Sequence, residues 1–152
     1  MKTDGASTEP HVCGELLMMM TVILRYFFSF SGRFNRKYFW IGYGILLFPM
    51  QNLSYILRIV RERPDNLIAV IFVGLLLLLG LVACSAVATK RLHDQNLSVL
   101  WLLALYAGTL AYCLAHPGHD LTALSGTMSL QLFPLGIARG QKGANRFGAE
   151  PT

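Results

Sequence analysis

Residues 66–89 contain no Asp, Glu, Lys or Arg, and Leu75-Leu76-Leu77-Leu78-Leu79 stands at their centre. About 20 apolar residues wound as a helix cross the roughly 30 Å hydrocarbon layer of a membrane. A helix can do so because it satisfies its own backbone polar groups where no water is present. This stretch constrains the chain more than any motif: it predicts a membrane-spanning helix, and its neighbours must then suit lipid as solvent. Directly after it comes Lys90-Arg91-Leu92-His93-Asp94, which marks where that helix leaves the hydrocarbon.

The composition agrees. The chain is 54% hydrophobic and 14% charged, against roughly 25% charged in soluble domains. Its 152 residues fit one domain. The net charge of +5 is read as basic residues flanking spans, and no nucleic-acid partner is expected. Cys13, Cys84 and Cys113 lie far apart and form no Cys-x-x-Cys pair, so no metal or other cofactor is expected. Asp4, Glu9 and Glu15 against Lys2 give residues 1–15 the wrong sign for the start of a cleavable signal. They read as a disordered tail.

Cutting the chain at its charged residues leaves four long uncharged windows, 38–57, 66–89, 95–119 and 121–138. At 1.5 Å per residue even the shortest reaches about 27 Å as a helix. Spans are placed at about 39–58, 67–88, 98–115 and 121–138. Pro49-Met50-Gln51-Asn52 interrupts the first, which is expected to kink. Gly126, Gln131, Pro134 and Gly136 leave the fourth open to a re-entrant path. Residues 16–30 are apolar but broken by Arg25, and an interfacial helix is expected there. The expected fold is an all-α membrane protein: a membrane domain over 16–138, built as a small bundle of four transmembrane helices with a short N-terminal interfacial helix, followed by a tail over 139–152.

Lys2, Arg25, Arg33, Arg36, Lys37, Lys90, Arg91, Arg139, Lys142 and Arg146 fall on one side of these spans. Only Arg58, Arg61 and Arg63 fall on the other, and the loop around His116, His119 and Asp120 has no Lys or Arg. Such an excess marks the cytosolic side, so both termini and the 139–152 tail are expected there. Trp40, Trp101 and Tyr38 are expected at that interface. In lipid, close helix contact relies on small residues. Gly80, Cys84 and Ala88 on the second span, and Ala104, Gly108, Ala111 and Ala115 on the third, are expected as contact stripes. Gln51, Asn52, Ser85, Thr109 and Gln131 are expected to bond between helices.

Three polar motifs share the predicted cytosolic side. They are Gly32-Arg33-Phe34-Asn35-Arg36-Lys37-Tyr38-Phe39-Trp40, then Lys90-Arg91-Leu92-His93-Asp94-Gln95-Asn96, then Gly143-Ala144-Asn145-Arg146-Phe147-Gly148-Ala149-Glu150-Pro151. In these the chain resembles the bacterial inner-membrane proteins grouped as domain of unknown function 805. That family carries a Gly-Arg-x-x-Arg-x-x-Phe/Tyr-Trp entry, an Arg-Leu-His-Asp loop and a Gly-x-Asn-Arg-Phe-Gly-x-x-Pro tail. The matching residues are Gly32, Arg33, Arg36, Phe39 and Trp40; Arg91, Leu92, His93 and Asp94; and Gly143, Asn145, Arg146, Phe147, Gly148 and Pro151. The resemblance runs from about 27 to 151. It departs after the loop, where the family has Gly and then Ser-Gly-Trp-Trp; here Asn96 is followed by Ser98-Val99-Leu100-Trp101. Asn accepts a left-handed turn, so the turn is expected to survive. The resemblance implies a multi-pass protein of the bacterial inner (plasma) membrane and supplies no activity.

His93 and Asp94 are neighbours in sequence, but adjacent helical residues point about 100° apart and do not pair. Lys90 (i, i+4) and Arg91 (i, i+3) are the helical partners expected for Asp94. No nucleophile motif, metal spacing or phosphate loop is present, and the chain is not expected to be an enzyme. Proton-coupled carriers hold ionisable groups inside their spans, and these spans hold none. The transport alternative is therefore a subunit of a small homo-oligomeric transporter or channel. The leading expectation is a non-catalytic bundle whose cytosolic rim of Arg33, Arg36, Arg91, His93, Asp94, Asn145 and Arg146, with Lys37 and Lys90, binds anionic lipid or a partner protein. Each basic residue gains about 1 kcal/mol near an anionic leaflet. The expected partners are membrane lipids and a partner membrane protein or further copies of the chain. In a plainer version Asp94 pairs with Arg33, Arg36 or Arg91, and Asn145-Arg146 closes the tail over the loop. With an ordinary pKa of about 6.5, His93 would titrate in the cellular range.

Overall fold

The computed structural model describes residues 9–62, 67–116 and 121–151, and leaves aside the side chains of 9–12, 54, 61, 121–125, 127, 128 and 131. Arg63, Asp65, His119 and Asp120, with the rest of the segments at 1–8, 63–66 and 117–120, lie outside the described residues, as does the side chain of Gln131. All regular structure among the described residues is helical: α1 (Glu9–Phe28), α2 (Arg36–Arg61), α3 (Leu67–Asp94), α4 (Leu100–Ala115) and α5 (Leu121–Ile137). One isolated bridge joins Asn145 to Gly148.

The sequence places these boundaries for local reasons. The Asn35 side chain caps α2 by accepting from the Tyr38 N–H at 3.0 Å, which satisfies one of the orphan donors of a helix start. Asn96 ends α3 in the left-handed region, φ 58. There the Leu97 N–H reaches the Leu92 carbonyl at 2.8 Å and the Asn96 N–H reaches that of His93 at 3.1 Å, the paired bonds of a Schellman cap. The expected turn thus survives with Asn in place of Gly. α2 runs on as one helix through Pro49, with the Asn52 amide donating to the Phe48 carbonyl at 2.7 Å. α5 likewise continues through Pro134.

α2 packs mainly on α3 and α5, α4 on α5 and α3, and α1 on α3. The core lies toward one end of the bundle. Phe39 and Tyr43 of α2, Val87, Ala88 and Leu92 of α3, Leu102 of α4 and Leu132 of α5 meet there. A Cβ on Gly136 would overlap the Trp40 ring, so glycine lets α5 close on α2 at this level. Trp40 is half-buried against Phe39, Tyr43 and Phe133, whereas Trp101 and Tyr38 are exposed.

Among the described residues α3 alone is long and apolar enough to cross a membrane, with a mean hydropathy of 3.1 over its best window. Two expectations need correction. Helix α1 begins at Glu9 rather than near 16, so part of the segment read as a disordered tail is helical; its Leu16, Leu17, Met18, Met19, Met20, Val22, Ile23 and Leu24 are all exposed. On α3, Gly80 does meet a neighbour, Met50 of α2, and Ala88 is buried. The stripe of Ala104, Gly108, Ala111 and Ala115 on α4, however, faces outward. The buried face of α4 carries Leu102 and Thr109, with Leu105 and Tyr106 between them. Polar side chains decide the rotation: the Tyr106 hydroxyl bonds Ser85 of α3 at 2.7 Å, and a hydroxyl removed from water needs such a partner. Across α2 and α5 the Tyr43 hydroxyl donates to the Ser129 carbonyl at 2.6 Å, and Gln51 reaches the Ser129 hydroxyl at 3.5 Å.

Candidate functional site

The three polar motifs meet at one end of the bundle, around the last turn of α3. Asp94 sits at the centre and is 4% exposed. Its Oδ1 accepts from Arg33 Nη2 at 3.0 Å and from Arg33 Nε at 3.3 Å, and its Oδ2 accepts from Arg91 Nη1. One carboxylate thus answers two buried guanidinium groups. This leaves an excess positive charge, which the backbone must solvate.

Carbonyl groups do so. Arg91, fully buried, donates from Nε to Leu135 at 2.9 Å, from Nη1 to Phe34 at 3.1 Å and from Nη2 to Ala138 at 2.5 Å. Leu135 and Ala138 flank the C-terminal end of α5, so Arg91 caps that helix, where orphan carbonyls and the macrodipole favour a cation. Gln95 donates to the same Leu135 carbonyl at 2.8 Å. Lys90 does the equivalent for α1, donating from Nζ to the carbonyls of Arg25 at 2.7 Å and Tyr26 at 2.8 Å. Its ammonium also lies 4.5 Å from the centre of the Phe34 ring, within cation–π range. Two consecutive residues at the end of α3 therefore cap two other helices. The expected Lys90–Asp94 partnership is not formed, because the end of α1 takes the ammonium.

Arg33 fastens the chain beyond α5. Besides Asp94 it donates to the carbonyls of Gln141 at 2.5 Å, Gly143 at 2.6 Å and Gly148 at 3.2 Å. The Gln141 N–H donates to the Asp94 carbonyl at 2.7 Å. A Cβ on Gly140 would overlap the Asp94 carboxylate, which explains glycine at this crossing. Asn145 donates to the His93 carbonyl at 2.8 Å, and Arg146 to that of Asn96 at 3.0 Å, so the tail closes over the loop. The His93 ring stacks on Phe147 with centroids 3.8 Å apart, and its Nδ1 lies 3.2 Å from the Gly32 carbonyl oxygen. The Arg146 guanidinium lies 4.6 Å from the same Phe147 ring.

Burial governs the titration of these groups. It pulls Lys90 down to about 8 and lowers Arg91, with Asp94 acting against the shift. It also lowers His93, helped by nearby Arg146 and opposed by the Gly32 carbonyl. His93 is thus biased toward the neutral form at neutral pH, which weakens it as a pH sensor.

Of the residues singled out from sequence, Arg33, Arg91 and Asp94 form one bonded group, with Asn145, Arg146 and His93 packed on its edge. Arg36 is exposed and stays outside the bonds, although it lines a cavity with Arg91 and Asp94. Sequence reasoning missed the capping by Lys90, the part of Gln95, the crossing at Gly140, and Arg139 and Lys142 beside that cavity. The usable signal was the cation requirement at the end of α5, which has no basic residue in its last turn. Among the described residues no cluster of His, Cys, Asp and Glu could hold a metal ion.

No curated protein and no solved structure matches the chain. The family model described as a protein of unknown function, DUF805, matches residues 27–149. That interval takes in nearly every residue of the bonded end just described, from Arg33 to Gly148. The chain belongs to the DUF805 family, whose function is unknown.

Proposed function

We propose that the chain is a non-catalytic, multi-pass protein of the bacterial inner membrane, with α2 to α5 as four spans and both termini cytosolic. In this reading α1 lies in the interface, and the basic end of the bundle engages the anionic lipid surface. One observation carries it: only 11% of the most apolar window of α3 is buried. A helix of that hydropathy inside a soluble fold is covered by its neighbours; here lipid is the covering. The other helices present apolar side chains outward as well, among them Ile45 and Phe48 on α2, Leu103 and Leu110 on α4, and Leu130 and Phe133 on α5. Exposed Arg36, Lys37, Arg139, Lys142 and Arg146 ring the end where the tail is fastened, which supports contact with anionic headgroups. The commitment of Arg33, Arg91 and Asp94 to one another and to backbone carbonyls supports a role without catalysis.

Two measurements test this reading. Single cysteines introduced at Ser31, Ser98 and Lys142 in a cysteine-free background should be shielded from a membrane-impermeant reagent added to intact cells, and cysteines at 64 and 118 should react. Reaction at Ser98, or shielding at both 64 and 118, would overturn the four-span arrangement. Protein in nanodiscs of mixed phosphatidylcholine and phosphatidylglycerol should retain phosphatidylglycerol in excess when the discs are dissolved. Retention in proportion to the mixture would remove the lipid role.

A further inference from the structure

Resting on the cytosolic-rim reading and sharpening it, we propose that a cavity beside the Arg91–Asp94 pair binds the phosphate group of an anionic ligand. The cavity is an open cleft of about 240 Å³ between the start of α2, the end of α3 and the chain after α5. Pockets for drug-sized ligands run from roughly 300 to 1,000 Å³, so this one suits a phosphate bearing a small organic group.

Its charge is lopsided. Arg36, Arg91, Arg139 and Lys142 line it against Asp94 and Glu150. Both carboxylates are already engaged: Asp94 by two guanidinium groups, and Glu150 by the Gly143 N–H at 2.6 Å. Arg36, Arg139 and Lys142 are exposed, and no hydrogen bond or ion pair holds them among the described residues. Arg36 stands near enough to Arg91 for the two like charges to act on each other. Three uncommitted cations thus gather around a floor that is itself fixed by buried bonds, and an oxyanion entering there relieves their mutual repulsion. Arginine is suited to phosphate because its planar fork offers two parallel donors. Asn35 and Arg36 bring the start of α2 to the same wall, with no acidic residue in its first turn, so the helix dipole adds to the attraction.

The phosphate could belong to a phospholipid headgroup or to a soluble phosphate ester, and two arms separate these sources. In one, the full chain in phosphatidylcholine nanodiscs is titrated calorimetrically with glycerol 3-phosphate. In the other, retained phosphatidylglycerol is counted by native mass spectrometry from mixed discs. Each arm compares wild type with Arg36→Gln/Arg139→Gln and with a charge-matched Arg25→Gln/Arg58→Gln protein. All four side chains are exposed, and an unchanged unfolding temperature confirms the fold. We expect the cavity variant to lose about tenfold in affinity, as for charged hydrogen bonds removed from a phosphate, while the charge-matched protein keeps most of its binding. Binding in the first arm assigns a soluble ester; binding confined to the second assigns the lipid. Equal, shallow weakening in both variants overturns the cavity and leaves the rim reading standing. No binding of either ligand by wild type overturns both.

Discussion

Helix α3 reverses its character along its length. Over residues 83–94 most side chains are buried, including Lys90, Arg91 and Asp94; over residues 67–82 Val73 alone is buried, while Ile68 is 83% exposed and Leu75 55% exposed. Charged groups are inside at one end and leucines outside at the other, the opposite of a helix in a water-soluble fold. On the membrane reading proposed above, the two ends answer different solvents. Where lipid is the surroundings, an apolar side chain gains little by turning inward, so the far end of the bundle needs only loose contact. Where helices stop and their orphan carbonyls accumulate, buried cations become useful, and the tightly packed part of the molecule forms around them.

Removing the charge at the centre of the polar end is the strongest test of this contrast. Asp94→Asn leaves two buried guanidinium groups without their counter-charge and should cost about 3–5 kcal/mol, measured as loss of the folded fraction in a detergent titration. A loss below about 1 kcal/mol would mean that the carbonyls alone suffice for Arg33 and Arg91.

Next comes pH. Burial lowers Lys90 from 10.5 to about 8, so between those values the unfolded chain holds the proton and the folded one sheds it. Folding therefore releases a proton in that window, and stability attributable to Lys90 rises with pH through it and is flat beyond. The difference in unfolding temperature between wild type and Lys90→Met, followed across this range, should carry that slope; parallel curves would show that the ammonium is stabilised where it sits.

Gly140→Ala places a methyl group into the Asp94 carboxylate and should cost about 1–3 kcal/mol through overpacking, detected as earlier proteolysis of the tail. Thr89 offers a gain. Its hydroxyl is buried with no hydrogen-bond partner among the described residues, and Thr89→Val should stabilise by about 1 kcal/mol, the burial penalty of an unmet hydroxyl. The smallest effect is reserved for the far end: Leu75→Ala should change stability by less than about 0.5 kcal/mol. A large loss there would mean that a protein neighbour, rather than lipid, covers α3.

The sequence made the helical character and the polar end legible to different depths. Helical period alone pairs Arg91 with Asp94, three residues apart, and the left-handed tolerance of Asn accounts for the stop at Asn96. The absence of charge over 66–89 marks α3, which starts at Leu67 as expected but runs past the expected end at 88 to Asp94. Arg33 meeting Asp94 is another matter: 61 positions separate them, and spacing gave only a choice among Arg33, Arg36 and Arg91. The target of Lys90 was misjudged because an acid one turn away looks like a better partner than a helix end 64 positions back. Orphan carbonyls have no letter of their own in a sequence; they exist only once helices end near each other. The outward stripe on α4 fails for a related reason, since small residues report where a close contact would be allowed, while the Tyr106–Ser85 bond sets where the helix turns.

The capping of α5 by Arg91 ties the order of synthesis to the order of folding. Arg91 leaves the ribosome well ahead of its acceptors Leu135 and Ala138, which follow 44 and 47 positions later, and Arg33 precedes Gly148 by 115. When α3 has been made, Arg33 and Arg91 have only Asp94 and Phe34 of the seven residues that accept from them. The other five, Leu135, Ala138, Gln141, Gly143 and Gly148, come later in the chain. The buried charge cluster at the end of α3 is therefore assembled from both sides of the sequence, and its two arginines are fully bonded only when the segment 135–148 is in place.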